Sequence, residues 1–293
     1  MRGSSRGSAA AVEEAFAAKL DAGVHADAGV TGVVGRVVDR VLGRTVDRHQ
    51  LGEDLFAATT AIDGAIALRR AVADPSRPSD AKAELVERLF AGKIGDDALD
   101  LLKTAVSQRW SEERDLTDTL ESLAVSSVVA AAEADGRADQ MEDDLFRFER
   151  IVAGNPGLRD ALTDRRGDPD SKERLVQSLL EGKANPEALR LVRQAVLSPR
   201  GRRFDRVLDS YLAIAAIRRD QLAATVTTAV PLDDDQQRRL AAALSSYYAG
   251  KAVHLSIVVD PAVIGGIRVQ IGDDVVDGTI LRRLEAPRRH LGA

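Results

Sequence analysis

Apolar residues recur along most of this chain at intervals of three and four, the spacing that lines one face of an α-helix. Leu85, Val86, Leu89 and Phe90 share one such face, and Gly92 follows where a helix would be capped. Leu175, Val176, Leu179, Leu180 and Gly182 repeat the arrangement. Phe204, Val207, Leu208, Tyr211, Leu212 and Ala215 form a longer stripe, with an earlier counterpart in Leu116, Leu120, Leu123 and Ala124. Helix starts are marked at Asn155-Pro156, Asp168-Pro169 and Asn185-Pro186. In each, a side chain able to cap precedes a proline suited to the first helical position.

These stripes are parts of a duplication. A shift of 90 residues lays Leu55-Phe56 on Leu145-Phe146, Lys82 on Lys172 and Leu85-Val86 on Leu175-Val176. It also lays Leu89 on Leu179, Gly92-Lys93 on Gly182-Lys183, Ala98-Leu99 on Ala188-Leu189, Leu101 on Leu191 and Ala105-Val106 on Ala195-Val196. Two copies are too few for a solenoid, so the expectation is a duplicated helical bundle. The helix through Leu116 and Leu123 meets no stop signal before Gly136, and is expected to run on into the second copy.

After residue 221 the pattern changes. Leu222 to Val230 is rich in Val and Thr and predicts a strand. Pro231-Leu232-Asp233 opens a helix from Asp234 to Ala249, closed by Gly250. Val253, Leu255, Ile257 and Val259 alternate with other residues as in a half-buried strand. Asp260-Pro261 turns the chain. Ile264 to Ile271 predicts another strand, Gly272-Asp273-Asp274 a turn, Val275-Val276 a short pairing segment, and Leu281, Leu284 and Leu291 a terminal helix. The fold class expected is mostly α: a duplicated N-terminal helical bundle, then a small α+β domain. The boundaries read as 1–120 for the first copy, 121–221 for the second and 222–293 for the last domain.

Composition narrows the chemistry. The 293 residues are 44 % hydrophobic and 30 % charged, as in a folded soluble protein, but only 3 % aromatic. Without cysteine there are no disulfides and no thiolate metal sites. A net charge of −5 argues against nucleic acid, which needs a concentrated basic footprint. No apolar run approaches the roughly 20 residues that span a bilayer, and Glu13-Glu14 interrupt anything like a secretory signal. The opening Met-Arg-Gly-Ser reads as a frayed terminus.

A search for catalytic or cofactor chemistry yields nothing. Gly92-Lys93, Gly182-Lys183 and Gly250-Lys251 lack the flanking residues of a phosphate loop and read as helix ends. His25, His49, His254 and His290 lack metal-ligand spacing. Asp233-Asp234-Asp235 reads as helix-start capping. The arginine pairs (Arg202-Arg203, Arg218-Arg219, Arg238-Arg239, Arg282-Arg283, Arg288-Arg289) read as solvated faces, with recognition of acidic helices as the functional alternative. No catalytic residue, cofactor or metal is expected.

The run from Asp260 to Leu284 resembles the C-terminal signature of the F-type ATP synthase delta subunits, the family of the oligomycin-sensitivity-conferring protein. That family carries a Gly-Gly-hydrophobic-Arg strand, a Gly-Asp turn and an Asp-Gly step into a helix with Arg-Leu. Here these positions are Gly265, Gly266, Arg268, Gly272, Asp273, Asp277, Gly278, Arg283 and Leu284. Their expected role is mainly structural: glycines for a bulge or a positive φ, Asp277 as a helix cap. The second copy, with Pro199-Arg200-Gly201-Arg202, looks like the family's N-terminal bundle. The first copy is extra and resembles the lengthened, duplicated form.

The resemblance implies a non-catalytic stator subunit. It would link the catalytic head to the peripheral stalk and resist torque, on the cytoplasmic face of the bacterial cell membrane and held there by its partners. Those partners would be the alpha subunit's N-terminal segment and the C-terminal end of the b subunit. The alpha-binding groove would lie between the helices near residues 120–134 and 186–198, with Leu123, Val128, Leu189 and Val192 as candidate contacts. A free-standing helical adaptor would share the composition but leaves the C-terminal signature unexplained.

Overall fold

The computed structural model describes residues 3–22, 46–164, 166–220, 222–247, 253–260, 266–271 and 274–277. They form two compact units, Met1–Ala215 and Ala216–Ala293. The first copy supplies α1 (Gly3–Ala22), α2 (Arg48–Gly64), α3 (Ile66–Ala73), α4 (Ser79–Phe90) and α5 (Asp96–Ser107). A long helix, α6 (Glu113–Ala134), follows. The second copy continues with α7 (Ala138–Gly154), α8 (Pro156–Thr163), α9 (Pro169–Leu180), α10 (Pro186–Leu197) and α11 (Phe204–Asp220).

The repeat is reproduced in atomic detail. Gly92 and Gly182 both take positive φ, +71° and +68°, where a side chain would be strained. In the first copy Asp54 on α2 accepts a hydrogen bond from the Gly95 N–H at 2.8 Å, just ahead of α5. In the second, Asp144 on α7 accepts one from the Asn185 N–H at 2.8 Å, just ahead of α10. Each buried carboxylate ties the second helix of its bundle to the fifth through an otherwise unpaired donor. The three starts marked in sequence are built as expected. The side chains of Asn155, Asp168 and Asn185 accept from Leu158, Ser171 and Glu187 N–H groups at 3.1, 2.9 and 2.8 Å. Ala65, Pro78 and Gly95, at the same places in the first copy, make no side-chain cap.

α6 belongs to both bundles. It runs unbroken through the 120/121 boundary and ends where Gly136 adopts φ +67°. There the Arg137 N–H reaches back to the Ala132 carbonyl at 2.7 Å, and the Gly136 N–H to Glu133 at 3.0 Å. That is the Schellman pattern. Leu116, Leu120, Leu123, Val125, Val128 and Val129 are all buried, leaving this helix little free surface. One apolar core therefore extends from Ala9 on α1 to Ala215 on α11.

The N-terminus departs from expectation. It is helical from Gly3, with Ser5 and Ser8 buried. Ser8 donates to the Arg109 carbonyl at 2.5 Å and Ser5 accepts from the Ser111 N–H at 2.7 Å. Small hydroxyls let α1 lie close to the turn after α5 while satisfying its backbone groups. A polar, glycine-containing start masked that role in the sequence.

The second unit contains β1 (Leu222–Thr228), α12 (Asp234–Tyr247), β2 (Val253–Val259), β3 (Ile267–Ile271) and β4 (Asp274–Asp277). The sheet order is β2-β1-β3-β4. β1 pairs parallel with β2 and antiparallel with β3, which pairs antiparallel with β4. A parallel neighbour requires a crossover, and α12 supplies it. Ala224, Val226, Val269 and Ile271 form the core, with Leu240 and Leu244 of α12 packed against it. The expected terminal helix from Gly278 lies outside the described residues. Among the described residues, no helix is long and apolar enough to cross a membrane.

Candidate partner-binding surfaces

α2, from the first copy, packs on α6 and reaches α10, the two helices between which the groove was expected. At its crossing with α6, an added Cβ on Gly52 would stand 3.0 Å from Val128 Cγ2 and 3.3 Å from the Ala124 carbonyl oxygen. A Cβ there would fit only if its neighbours gave way by a few tenths of an ångström, so glycine suits this close approach. The Ser127 hydroxyl donates to the Arg48 carbonyl at 2.8 Å. On the α10 side, Arg190 pairs with Glu53 and places its guanidinium 4.5 Å from the Phe56 ring centroid. His49 stands 3.7 Å from the buried Glu187. Of the candidate groove residues, Leu123, Val128 and Val192 are buried and Leu189 is half-buried.

His49, Asp135 and Glu187 converge closely enough to suggest a metal site, a cluster from three distant segments that spacing alone would not reveal. The Arg137 guanidinium occupies it, bonded to both Glu187 and Asp135. A fixed cation already neutralises the carboxylates, so the cluster is an ion-pair cage between α6, α10 and α2.

Where the turn after α10 meets α6, the structure corrects the reading of Arg202 as part of a solvated pair. The Arg200 side chain is almost fully buried and pairs with Asp63, Asp118 and Glu121 at 3.1, 2.9 and 2.7 Å. Arg202 turns inward to the same Glu121, and the Tyr211 hydroxyl donates to it at 2.8 Å. Burial, and then the Glu121 charge, hold the Tyr211 hydroxyl far above its ordinary pKa, so it remains a donor. Burial works against the Arg200 charge, but Glu121, Asp118 and Asp63 outweigh it and raise the pKa. This cluster is an internal lock with no free nucleophile or base.

In the second unit, Gly266 has φ +85°, consistent with the conformational role expected of it. Arg268 is exposed on β3, in register with Asp277 on β4. Gly265, Gly272, Asp273, Gly278, Arg283 and Leu284 lie outside the described residues.

The sequence profile of the family described as ATP synthase delta (OSCP) subunit matches residues 125–291, which begin on α6. A Kineococcus radiotolerans protein named ATP synthase subunit delta is 46 % identical over 273 residues, covering 93 % of this chain and 98 % of that one. One of the same name from Streptomyces avermitilis is 49 % identical over 249 residues, covering 85 % and 91 %. A third, from a Parafrankia species, is 43 % identical over 292 residues and covers 99 % of both chains. The lengthened form is thus shared by relatives that carry the first copy as well. The chain belongs to the ATP synthase delta (OSCP) subunit family.

Proposed function

We propose that this non-catalytic stator subunit holds the ATP synthase head against rotation through two contacts, one on each folded unit. The helical unit receives the alpha subunit's N-terminal segment. Residues 222–293 receive the C-terminal end of the b subunit, which places the chain on the cytoplasmic face of the bacterial membrane as a peripheral protein. On this reading residues 1–120 and 121–221 act as two bundles of one rigid body, and the signature glycines shape the stalk-binding domain.

The observation that carries the proposal is the division of a family member into two compact units, Met1–Ala215 and Ala216–Ala293. A tether needs two attachments that stay bound through many turnovers, which requires slow dissociation and substantial buried area. Deleting residues 260–293 is expected to release the head from washed membranes while its ATP hydrolysis continues. If the head stayed attached and coupled, the stalk contact would lie elsewhere.

A further inference from the structure

The two copies differ just past their fifth helices. α5 ends at Ser107 and α10 at Leu197, the same place in the 90-residue repeat. In the first copy the following turn folds back on its own bundle. The Trp110 indole is buried, and its N–H donates to the Ala105 carbonyl at 2.8 Å. Two residues earlier, the Gln108 carbonyl accepts from the buried Lys82 ammonium at 3.1 Å. The segment thus brings an aromatic ring with a donor, and an acceptor for a lysine.

The second copy keeps the receiving groups and lacks the segment that fills them. Ala195 and Lys172 stand where the repeat places Ala105 and Lys82. Arg200 takes the position of Trp110, and its guanidinium is held by Asp63, Asp118 and Glu121 instead. Pro199 has no N–H to offer the Ala195 carbonyl, which accepts no hydrogen bond from a described residue. The half-buried Lys172 ammonium likewise pairs with no described residue. Both groups line a cavity of about 810 Å³, within the range of roughly 300–1,000 Å³ common for small-ligand sites. Val152, Leu162, Val196 and Phe204 give it an apolar wall, and Arg159 adds a second cation. Two acids also line it. Asp205 is paired with Arg203 at 2.8 Å. Burial, then Asp209 and Asp205, disfavour the Glu149 charge and raise its pKa.

We propose that this cavity binds a small aromatic acid, with its ring on the apolar wall, a ring N–H on the Ala195 carbonyl and a carboxylate on Lys172. Such a ligand supplies from outside what Gln108 and Trp110 supply within the first copy. A carboxylate replaces the neutral carbonyl of the template because no acid among the described residues pairs with this ammonium, and charge-assisted hydrogen bonds are the stronger kind. The site lies wholly within the second bundle. It stands or falls independently of the stator contacts proposed above.

The probe is indole-3-propionate, titrated into the full chain by calorimetry, and it should bind with a Kd of about 1 mM or tighter. Indole lacks the acid and 1-methylindole-3-propionate lacks the N–H, so each should bind about three- to tenfold more weakly. Lys172→Gln should weaken indole-3-propionate about tenfold and leave indole unchanged. Ala153→Trp fills the cavity from an exposed position on its wall, and should abolish binding with the melting temperature unchanged. Binding that both variants leave intact would lie elsewhere on the chain and overturn the proposal. Equal affinity for indole and indole-3-propionate would also overturn it, as would no binding at about 10 mM, ten times the expected Kd.

Discussion

The two helical bundles share a plan but stabilise it by different chemistry. In the first, the junction between the opening helix and the turn after the fifth is made by serine hydroxyls and backbone groups. In the second, the same junction is a buried network of Arg200, Arg202, Glu121 and Tyr211. The second helices diverge as well. Phe56 on α2 is 1 % exposed because it lies against the next bundle, whereas its counterpart Phe146 on α7 is 54 % exposed. Duplication thus produced two bundles in which one copy's second helix also touches the other, through Glu187 and Arg190. α6, shared between them, makes the pair one body.

The largest expected difference lies at the junction. Glu121→Ala would take the acceptor from the buried Tyr211 hydroxyl and a carboxylate from Arg202 and from Arg200, which keeps Asp63 and Asp118, and should cost about 3 kcal/mol. Ser8→Ala removes one neutral hydrogen bond and should cost about 0.5–1.5 kcal/mol. Urea denaturation of the intact chain measures both. Equal losses would mean that the charged network adds nothing beyond the contact it replaced.

The crossing of α2 over α6 gives the next test. Gly52→Val puts a branched side chain where even a Cβ stands 3.0 Å from Val128. Despite the better helix propensity of valine, stability should fall by about 1–3 kcal/mol. The counterpart on α7 is Glu142, a position that already carries a full side chain, so Glu142→Gln should cost less than Gly52→Val. Hydrogen exchange on α2 should rise in the first variant only. If α2 remained as protected as before, its hold on α6 would not depend on this close approach.

Much of this architecture was legible because it is local. Gly92 and Gly182 marked two helix ends, and Asn155, Asp168 and Asn185 three starts, since capping involves residues only a few positions apart. The repeat was visible through residues that each bundle needs for its own core, such as Leu101 and Leu191. What stayed hidden depends on contacts across more than 70 residues. Arg200 looks like any loop arginine until Asp63 and Glu121 are brought beside it. Phe56 and Phe146 are identical in sequence and opposite in exposure. One signal was available for the crossing of α2 and α6: Gly52 sits inside an amphipathic run where glycine weakens a helix, and such a residue usually marks a close backbone approach. The cysteine-free composition spoke only to what is absent.

The smallest effect tests whether the copies are interchangeable at their helix starts. Ala65 precedes α3 with φ −115° and ψ 94°, and Asn155 precedes α8 with φ −127° and ψ 93°. Their carbonyls accept alike, from Arg69 at 2.9 Å and from Arg159 at 3.0 Å. Only the side-chain cap is missing in the first copy, where the Leu68 N–H corresponds to the Leu158 N–H that Asn155 satisfies. Ala65 is exposed, so replacing it sacrifices no packing. Ala65→Asn should therefore raise stability by about 0.5–1 kcal/mol, and Asn155→Ala should lower it by a similar amount. A gain without the matching loss would show that α8 is held by its packing, with its cap redundant. A loss without the gain would show that the first turn of α3 cannot present its N–H groups as α8 does, and that the two copies have diverged in backbone as well as in side chains.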